Sequence, residues 1–343
     1  MNKYSSPVSV AIAGATGYAG QELLTLLNRH PEVHIAAAMS SSPDSAARPM
    51  PRLARTWDGT VEPLNRAKLT ESAFVFLAVP EAAAADLAPE LLEAGAKVID
   101  LSGAFRIKDA AIRAKWYPAT TLLPDGVAYG LVEHNRAAIE QASLVACPGC
   151  YPTAALLALT PLMQAGLLDL SRDVVVDAKS GISGAGRTAS DRTHFSENHG
   201  SMAAYGVLGH RHVAEMEQSL GCEVTFAPHL VPLDRGILET IYVRVTPETT
   251  AEAIGETLGR AYQHAPFVRL TGGALPEIKH VAWTNFCDIG WKFDAASRRL
   301  VLVVCIDNLV KGAAGQAVQC LNLRFRLPRT LGLMPEHACA KTA

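Results

Sequence analysis

The chain has 343 residues, of which 49% are hydrophobic and 19% charged, and its formal net charge at pH 7 is -2. This length is sufficient for two domains, and the nearly balanced charge argues against a nucleic-acid-binding protein, which usually carries a basic excess. No apolar run reaches the ~18 residues of a membrane-spanning helix, and the polar first residues predict no signal peptide. Seven cysteines at irregular spacings indicate a reduced, cytoplasmic protein rather than a disulfide-linked one.

The first predicted element is an apolar strand over residues 8–13, followed by a glycine-rich turn and a helix. Glycines in such a unit allow a tight turn, approach of the backbone to a pyrophosphate, and close packing of the helix on the strand. The flanking strand and helix make the pattern more specific than the glycines alone. The unit predicts a dinucleotide site, with cofactor-binding residues Gly14, Thr16, Gly17, Tyr18 and Gly20.

The end of the second predicted strand, over residues 34–39, indicates which dinucleotide is bound. A site for NAD usually has an acidic residue there, which binds the ribose 2′-hydroxyl. This strand instead ends in Ser40 and Ser41, with Arg48 and Arg52 further along the chain. Hydroxyls and arginines suit a 2′-phosphate, so the pattern favours NADP(H), unless these residues form only a polar surface loop.

Further along the first half, fully apolar strands over 74–80 and 97–101 flank a helix over 81–94. This alternation predicts a Rossmann-type, doubly wound parallel sheet with helices on both faces. In the second half the predicted strands are 174–178, 224–227, 237–245, 282–288 and 300–306, with a helix over 251–263.

We therefore predict an α/β protein with a dinucleotide-binding domain and an α+β catalytic domain that contains a large mixed, mostly antiparallel sheet. The last predicted helix, after residue 315, is expected to pack on the first domain. The predicted boundaries are 1–149 with 312–343 for the dinucleotide-binding domain, and 150–311 for the catalytic and oligomerisation domain.

Cys150 lies in a distinctive local pattern. A short apolar strand ends before Pro148-Gly149, and the buried helix that follows has Pro152 in its first turn, where a proline is tolerated. At a helix N-terminus, free N–H groups and the helix dipole stabilise a thiolate. Cys150 is therefore the candidate nucleophile, whereas Cys222, Cys287, Cys305 and Cys320 lie in apolar or amphipathic contexts typical of buried cysteines.

The chain contains five motifs in succession, at residues 14–20, 148–153, 179–187, 209–212 and 308–317. Together they resemble the N-acetyl-γ-glutamyl-phosphate reductase family, over about residues 8 to 325. The family is similar in layout to aspartate-semialdehyde dehydrogenase. The resemblance implies NADPH-dependent reduction of an acyl phosphate to an aldehyde through a cysteine thioester, with release of phosphate, in arginine biosynthesis.

Two positions depart from the family pattern. Where an acidic residue is expected two residues before Arg106, this chain has Ala104, preceded by Gly103. The residue three before the nucleophile is Cys147, where asparagine is common, so the chain contains a C-x-x-C sequence. That sequence permits a redox dithiol in place of a single catalytic thiol. It also allows a catalytic Cys150 to form a reversible disulfide with Cys147 under mild peroxide, unless the geometry of the turn prevents it.

The acid/base is expected to be a histidine, because its ordinary pKa lies near neutral pH. The resemblance favours His210, with Glu215 as its orienting partner. His194, His199 and His229 are the next candidates. The sequence offers no third and fourth ligand that would turn His210 and its neighbour His212 into a metal site, so no metal is predicted.

An acyl-phosphate substrate needs cations and hydrogen-bond donors, and arginine suits phosphate and carboxylate best. By resemblance, Arg106 is the phosphate anchor. The predicted substrate-binding set is Arg106, Lys179, Ser180, Arg187, Glu197, Tyr205 and Arg211. Gly184, Asn308 and Lys311 are added to the cofactor-binding set, with Asn308 expected to face the nicotinamide.

Two other functions remain open on the sequence. One is an acyl-phosphate reductase of the same layout with another substrate, such as aspartyl phosphate. The other is a non-catalytic dinucleotide sensor, which an intact Cys150, His210 and glycine turn disfavour. The large sheet of the second domain is expected to support a homo-oligomer, either a dimer or a tetramer, with no nucleic-acid or membrane partner.

Overall fold

The computed structural model of the protein describes residues 7–334. Its strands are β1 (Val8–Ala13), β2 (Val33–Met39), β3 (Arg48–Pro49), β4 (Thr60–Glu62), β5 (Phe74–Leu77), β6 (Lys97–Asp100), β7 (Ala128–Tyr129), β8 (Leu144–Ala146), β9 (Val174–Gly181), β10 (Ala203–Ala204), β11 (Val224–Val231), β12 (Ile237–Arg244), β13 (Val268–Gly272), β14 (Cys287–Asp294) and β15 (Arg299–Ile306). Its α-helices are α1 (Tyr18–Asn28), α2 (Arg66–Thr70), α3 (Glu81–Glu93), α4 (Ala110–Trp116), α5 (Val132–Gln141), α6 (Cys150–Gln164), α7 (Phe195–Asn198), α8 (His212–Leu220), α9 (Ala251–Tyr262) and α10 (Gly315–Arg324).

The described residues form two compact units, 7–148 with 313–334 and Gly149–Gly312. The first unit contains an eight-stranded sheet in the order β3-β4-β2-β1-β5-β6-β8-β7. Every neighbouring pair in it is parallel except β3–β4. Parallel neighbours need crossover connections, and helices such as α1 and α3 provide them. The predicted doubly wound parallel sheet is confirmed.

The central strands of this sheet are buried along nearly their whole length. β5 and β8 have no exposed residue, and β1 has one partly exposed position. Strands covered on both faces need continuous apolar runs rather than alternating ones, and such runs are present in the sequence. These strands form the core of the first unit together with the buried face of α3.

Helix α10 belongs to this first unit, where it packs against α5, α1 and β6. Asn322, on α10, is fully buried, and its Oδ1 lies 2.9 Å from Nε2 of His30. The Phe325 ring, at the end of α10, lies 4.5 Å from that of Phe74 between centroids. The end of the described chain therefore completes the core that the first strands begin.

The second unit contains a seven-stranded sheet in the order β10-β11-β9-β12-β15-β14-β13. Four neighbouring pairs are antiparallel, and two, β11–β9 and β13–β14, are parallel. The predicted large mixed, mostly antiparallel sheet is therefore confirmed. Helix α6 packs against β12, β15, α8 and α9, which explains why it is apolar on every side.

One strand prediction in this unit is wrong. Strand β14 begins at Cys287 rather than at residue 282, and residues 282–286 form turns. Trp283 has a φ of +67°, a left-handed backbone conformation that a strand cannot contain. Strand β13, a short strand that pairs with β14 in parallel, was not predicted.

No helix among the described residues has both the length and the apolar character needed to cross a membrane.

Glu239, in the middle of β12, is a buried carboxyl group. It is fully buried on the face that it shares with Ile237 and Ile241, and neither carboxyl oxygen has a hydrogen-bond partner within residues 7–334. Burial raises the pKa of Glu239 well above its ordinary value. The folded chain therefore holds a proton that the unfolded chain releases, so this group costs stability as pH rises above about 4.5.

We expect Glu239→Gln to remove this pH dependence. Relative to the wild type, the free energy of unfolding of the variant should increase above pH 4.5 by up to about 1.4 kcal/mol per pH unit, until the folded-state pKa is reached. Urea denaturation at several pH values between 4.5 and 8 measures the difference. The exposed Glu223→Gln is the control and should show no such increase; a constant difference for Glu239→Gln would contradict the argument.

Candidate active site

Cys150 is the first residue of α6, as predicted. Gly149 precedes the helix in an extended conformation, and the Gly149 N–H donates to Oε2 of Glu215 at 2.9 Å. Cys150 is partly exposed, whereas Tyr151 and the next residues of α6 are buried. The first N–H groups of a helix have no partner within it, so the thiol lies at the positive end of a buried helix dipole. This location favours the thiolate form of cysteine.

The loop from Asp307 to Gly312 passes directly against Cys150. A Cβ atom on Gly312 would lie only 2.7 Å from Cβ of Cys150, so this position requires glycine. The N–H of Gly312 donates to the main-chain oxygen of Asp307 at 2.9 Å, which closes the loop.

Asp307 organises this loop from a fully buried position. Its Oδ1 accepts from the N–H groups of Leu309 and Val310 at 2.8 and 3.0 Å. Its Oδ2 accepts from the Trp283 N–H at 2.6 Å and from Nη1 of Arg235 at 3.2 Å. The Arg235 guanidinium also stacks on the Trp283 ring, 3.3 Å from its centroid. One carboxylate thus joins three segments that are distant in sequence.

The side chain of Asn308, the residue after Asp307, is also held by hydrogen bonds. Its Oδ1 accepts from the Gly236 N–H at 2.7 Å, and its Nδ2 donates to Oγ of Ser183 at 3.0 Å. A Cβ atom on Gly184 would lie 2.7 Å from Oγ of Ser180 and 3.7 Å from Nδ2 of Asn308. The structure therefore brings together three predicted site residues, Ser180, Gly184 and Asn308. Sequence reasoning did not identify Arg235 or Asp307, although the adjacent Asp and Asn before Lys311 are a weak signal.

The predicted pairing of Glu215 with His210 is corrected by the structure. Glu215 is fully buried on α8, and its Oε1 lies 3.9 Å from Nε2 of His212, three residues earlier. The His212 ring also packs against Gly149, where a Cβ atom would approach Nε2 to 2.5 Å. No hydrogen bond or ion pair joins His210 to Glu215 among the described residues. Residues three apart share one face of a helix, whereas His210 precedes α8.

His210 lies in a cluster of aromatic rings instead. Its ring makes edge contacts with Tyr151, Tyr205 and Phe226, at centroid distances of 5.9, 5.5 and 5.4 Å. Nδ1 accepts from the His212 N–H at 3.2 Å, so the neutral ring carries its proton on Nε2. Burial, and then the charge of Arg211, lower the pKa of His210 to about 4, which keeps the ring neutral at physiological pH.

Two tyrosines connect this cluster to the thiol. The hydroxyls of Tyr151 and Tyr205 are 3.1 Å apart, and Ser180 also hydrogen-bonds to Tyr151. Burial raises the pKa of both phenols, that of Tyr205 to about 12, and the negative charge of the Cys150 thiolate contributes to each rise. Sequence reasoning did not identify Tyr151, although its position immediately after Cys150 was a signal.

Glu197 and Tyr205, both predicted for substrate binding, line a cavity of about 210 Å³. Arg192 and Asp191 line it too and were not identified from the sequence. These residues come from the long polar segment between β9 and α8, where a functional loop is expected in a compact domain.

The other predicted residues of this unit differ in orientation and exposure. Nζ of Lys179 is 2.5 Å from Oδ2 of Asp177, and alternation along β9 places Lys179 on the face of the sheet opposite Ser180. The predicted grouping of these two residues at one site is therefore corrected. Arg187 and Arg211 are exposed, and Lys311 is fully buried.

In the first unit the glycine turn has the expected geometry. Gly14 has a φ of +87°, and a Cβ atom there would lie 2.1 Å from the Ala78 oxygen. A Cβ on Gly20 would lie 2.1 Å from the Gly14 oxygen, so α1 packs closely on the turn. A Cβ on Gly17 would meet only the Gly14 oxygen, at 3.6 Å, which leaves this position open to a pyrophosphate.

The other predicted cofactor residues of the first unit lie within this turn, at the start of α1, or just after β2. The main-chain oxygen of Thr16 accepts a hydrogen bond from Nε2 of Gln21, on α1. Tyr18, the first residue of that helix, is 40% exposed. Ser40 is buried at the end of β2, where its Oγ donates to the Ser42 oxygen at 2.8 Å. Ser41 is exposed.

Arg106 is nearly buried in the first unit, where its Nη2 donates to the Leu101 oxygen at 2.9 Å. Asp100 lies at the end of β6 and accepts from both the N–H and the hydroxyl of Ser102, each at 2.9 Å. Burial raises the pKa of Asp100 to about 6, against the opposing effects of Ser102 and the Arg106 charge.

Within residues 7–334, no group of three or more His, Cys, Asp or Glu side chains is arranged to hold a metal ion.

Two family models match this chain, one in each half. Residues 9–142 match the semialdehyde dehydrogenase NAD binding domain, and residues 150–308 match the semialdehyde dehydrogenase dimerisation domain. The first match confirms the predicted dinucleotide-binding domain.

The chain is similar over its length to proteins named N-acetyl-gamma-glutamyl-phosphate reductase. The protein from Brevibacillus brevis is 44% identical over 339 residues, which cover 95% of this chain and 98% of the relative. The protein from Escherichia coli O157:H7 is 43% identical over 339 residues, which cover 95% of this chain and all of the relative.

Solved structures show the same fold. Aspartate semialdehyde dehydrogenase II from Vibrio cholerae has a TM-score of 0.72 at 22% identity, with 94% of this chain and 99% of that chain covered. Aspartate semialdehyde dehydrogenase with NADP from Candida albicans has a TM-score of 0.69 at 16% identity, with 93% and 98% covered.

We expect Gly312→Ala to disturb the Cys150 site, because its new methyl group would overlap Cβ of Cys150. Overpacking of this kind typically costs about 1–3 kcal/mol. Denaturation should report the lost stability, and the rate of Cys150 alkylation by iodoacetamide should change. The control is Gly259→Ala in α9, where nothing lies within 4 Å of the new atom. It should raise stability by about 0.5–1 kcal/mol and leave alkylation unchanged. Wild-type values for Gly312→Ala would contradict the close contact.

Proposed function

The chain belongs to the N-acetyl-γ-glutamyl-phosphate reductase family, and we propose that it catalyses the family reaction in arginine biosynthesis. In this reaction NADPH and a proton reduce N-acetyl-γ-glutamyl phosphate to N-acetylglutamate semialdehyde, with release of phosphate. The single observation that carries the proposal beyond the relatives' names is the partly exposed Cys150 at the start of a buried helix.

Cys150 acts as the nucleophile. Its sulfur attacks the acyl carbon, a C–S bond forms, the bond from carbon to the phosphate oxygen breaks, and phosphate leaves. The resulting thioester keeps the acyl group on the enzyme for reduction. After reduction the C–S bond breaks, the aldehyde leaves and the thiolate is restored. The helix dipole favours the thiolate at the first and last of these steps.

The dinucleotide supplies the hydride that reduces the thioester carbon. Gly14, Gly17 and Gly20 fit its pyrophosphate, because Gly17 leaves open space at the N-terminus of α1. We propose NADPH rather than NADH because Ser40 and Ser41, not a carboxylate, follow β2. Thr16, Tyr18, Gly184, Asn308 and Lys311 complete the proposed cofactor set.

His210 is proposed as the acid/base. Its neutral ring presents a proton on Nε2, which suits hydrogen bonding to the oxygen that becomes negatively charged during acyl transfer and reduction. His212 and Glu215 have a different role, since they hold the Gly149 turn and thereby the direction of the Cys150 side chain.

The substrate's phosphate and carboxylate need cationic partners. Arg106, Arg187 and Arg211 are proposed for this role, with Arg106 as the phosphate anchor. Ser180, Glu197 and Tyr205 are proposed to bind the rest of the substrate, which the cavity shared by Glu197 and Tyr205 supports. Lys179 is removed from this group because Asp177 neutralises it on the other face of β9.

We further propose that the enzyme is a cytoplasmic homo-oligomer, either a dimer or a tetramer. The match of residues 150–308 to a dimerisation domain supports the assembly. The six cysteines within the described residues form no disulfide with one another, which is consistent with a reducing compartment.

The proposed reaction is testable in reverse. We expect phosphate-dependent reduction of NADP⁺ with N-acetylglutamate semialdehyde, and much slower reduction of NAD⁺. Cys150→Ser should abolish turnover, since a serine hydroxyl is far from ionised at neutral pH. Cys305→Ser, at a buried cysteine, is the control and should remain active. Faster turnover with aspartate semialdehyde would instead identify aspartyl phosphate as the substrate. An active Cys150→Ser variant would exclude the thioester intermediate.

The two histidines allow a matched comparison. We expect His210→Asn to lower kcat about 10²–10⁴-fold with little loss of stability, because it removes the proton donor. His212→Asn should lower stability more and kcat less, since it removes the neighbour of the buried Glu215 carboxylate. Steady-state kinetics and thermal denaturation of both variants give the answer. If His212→Asn has the larger effect on kcat, the two assignments must be exchanged.

A further inference from the structure

A second cavity, formed entirely by the first unit, has the charge of an anion site. Its volume is about 370 Å³, within the range of small-molecule sites. It lies between α5 and the residues that follow α10. Among residues 7–334, three arginines line it, Arg136, Arg326 and Arg329, together with one acidic residue, Glu140.

The positive charge in this cavity exceeds what its carboxylate can neutralise. Oε1 of Glu140 lies 2.8 Å from Nε of Arg136, so this acid is already paired. Arg324 adds a further charge nearby, with Nη1 donating to the main-chain oxygen of Glu140. Burial, and then the charge of Arg136, lower the pKa of Arg329, while Glu133 opposes this effect. The arginines thus repel one another at a partly buried site.

The backbone at Arg326 makes this residue suitable for a test by substitution. Arg326 follows the C-terminus of α10 with a φ of +55°, where glycine is strongly favoured. Its N–H and that of Leu327 donate to the oxygens of Leu323 and Asn322, at 3.0 and 2.8 Å, as in a glycine-ended helix. Replacement of Arg326 by glycine therefore keeps this backbone conformation and removes the steric cost of a non-glycine residue there.

We propose that this cavity binds a small phosphate-bearing anion. Arginine guanidinium groups match phosphate oxygens in bidentate geometry, and several of them converge here. The proposal does not depend on the proposed reaction, because none of the lining residues was assigned to it.

A second arginine-lined cavity provides the matched control. It has a volume of about 410 Å³ in the other unit, and Arg172, Arg244 and Arg298 line it together with Asp169 and Asp173. Its acids nearly balance its arginines, so it should not select an anion. Arg298 has a φ of +52°, close to that of Arg326. Arg298→Gly and Arg326→Gly are therefore the same change in the same backbone conformation.

The test measures the Tm of the full-length chain with inorganic phosphate, pyrophosphate or glycerol 3-phosphate, against sodium chloride at equal ionic strength. At ligand concentrations well above Kd, we expect a rise in Tm of about 2–4 °C beyond the chloride effect. Arg298→Gly should retain this rise. Arg326→Gly should lose much of it, and Arg326→Gly with Arg329→Gln should keep only the part that phosphate binding at the proposed active site contributes. Without ligand, the Tm of Arg326→Gly should stay at or above the wild-type value.

Two results would overturn the proposal. One is a wild-type response no larger than that of chloride. The other is an equal response in all variants, which would assign phosphate binding to the proposed active site alone. A response to glycerol 3-phosphate but not to inorganic phosphate would identify a phosphorylated metabolite as the ligand, and the reverse would identify free phosphate.

Discussion

The geometry at Cys150 depends on one buried carboxylate, that of Glu215. An ion without exposure to solvent is costly unless hydrogen bonds and charges compensate it. Here the Gly149 N–H and the His212 ring contribute that compensation. Since the same N–H belongs to the residue before α6, the requirement to satisfy Glu215 also fixes where the helix begins. The reactive sulfur is thereby held at the helix start by a contact that it does not itself make.

A second buried carboxylate, that of Asp307, organises another segment that contacts Cys150. Its four acceptor contacts hold the loop whose last residue, Gly312, lies against Cys150. Two of these contacts come from Arg235 and Trp283, on segments that are distant in sequence. Local sequence patterns carry no information about such pairings, which is why Asp307 and Arg235 were not predicted. The Cys150 helix start was predictable, because Pro148, Gly149 and Pro152 determine it locally.

The error at Glu215 has a different physical origin. Its predicted partner, His210, was chosen by resemblance and nearness in sequence. Helix geometry alone favours His212, because side chains three residues apart lie on the same face. Lys179 and Ser180 show the corresponding rule for strands, since consecutive residues face opposite sides of a sheet. Both corrections follow from periodicity once the bounds of α8 and β9 are known. Strand β14 was misplaced for another reason, the left-handed backbone of Trp283, which composition does not reveal.

The segment before Arg106, where the chain departs from the family pattern, is tightly packed. A Cβ atom on Gly103 would lie 2.2 Å from the fully buried Tyr117 ring, so the ring occupies space that a larger residue would need. Asp100 is a buried carboxyl group in the same segment, and the Arg106 charge lowers its pKa against the larger effect of burial. Because burial raises the pKa of Asp100 to about 6, this carboxylate is largely ionised at neutral pH and loses its charge below pH 6. The net positive charge available at Arg106 therefore increases with acidity, through a residue outside the family motif.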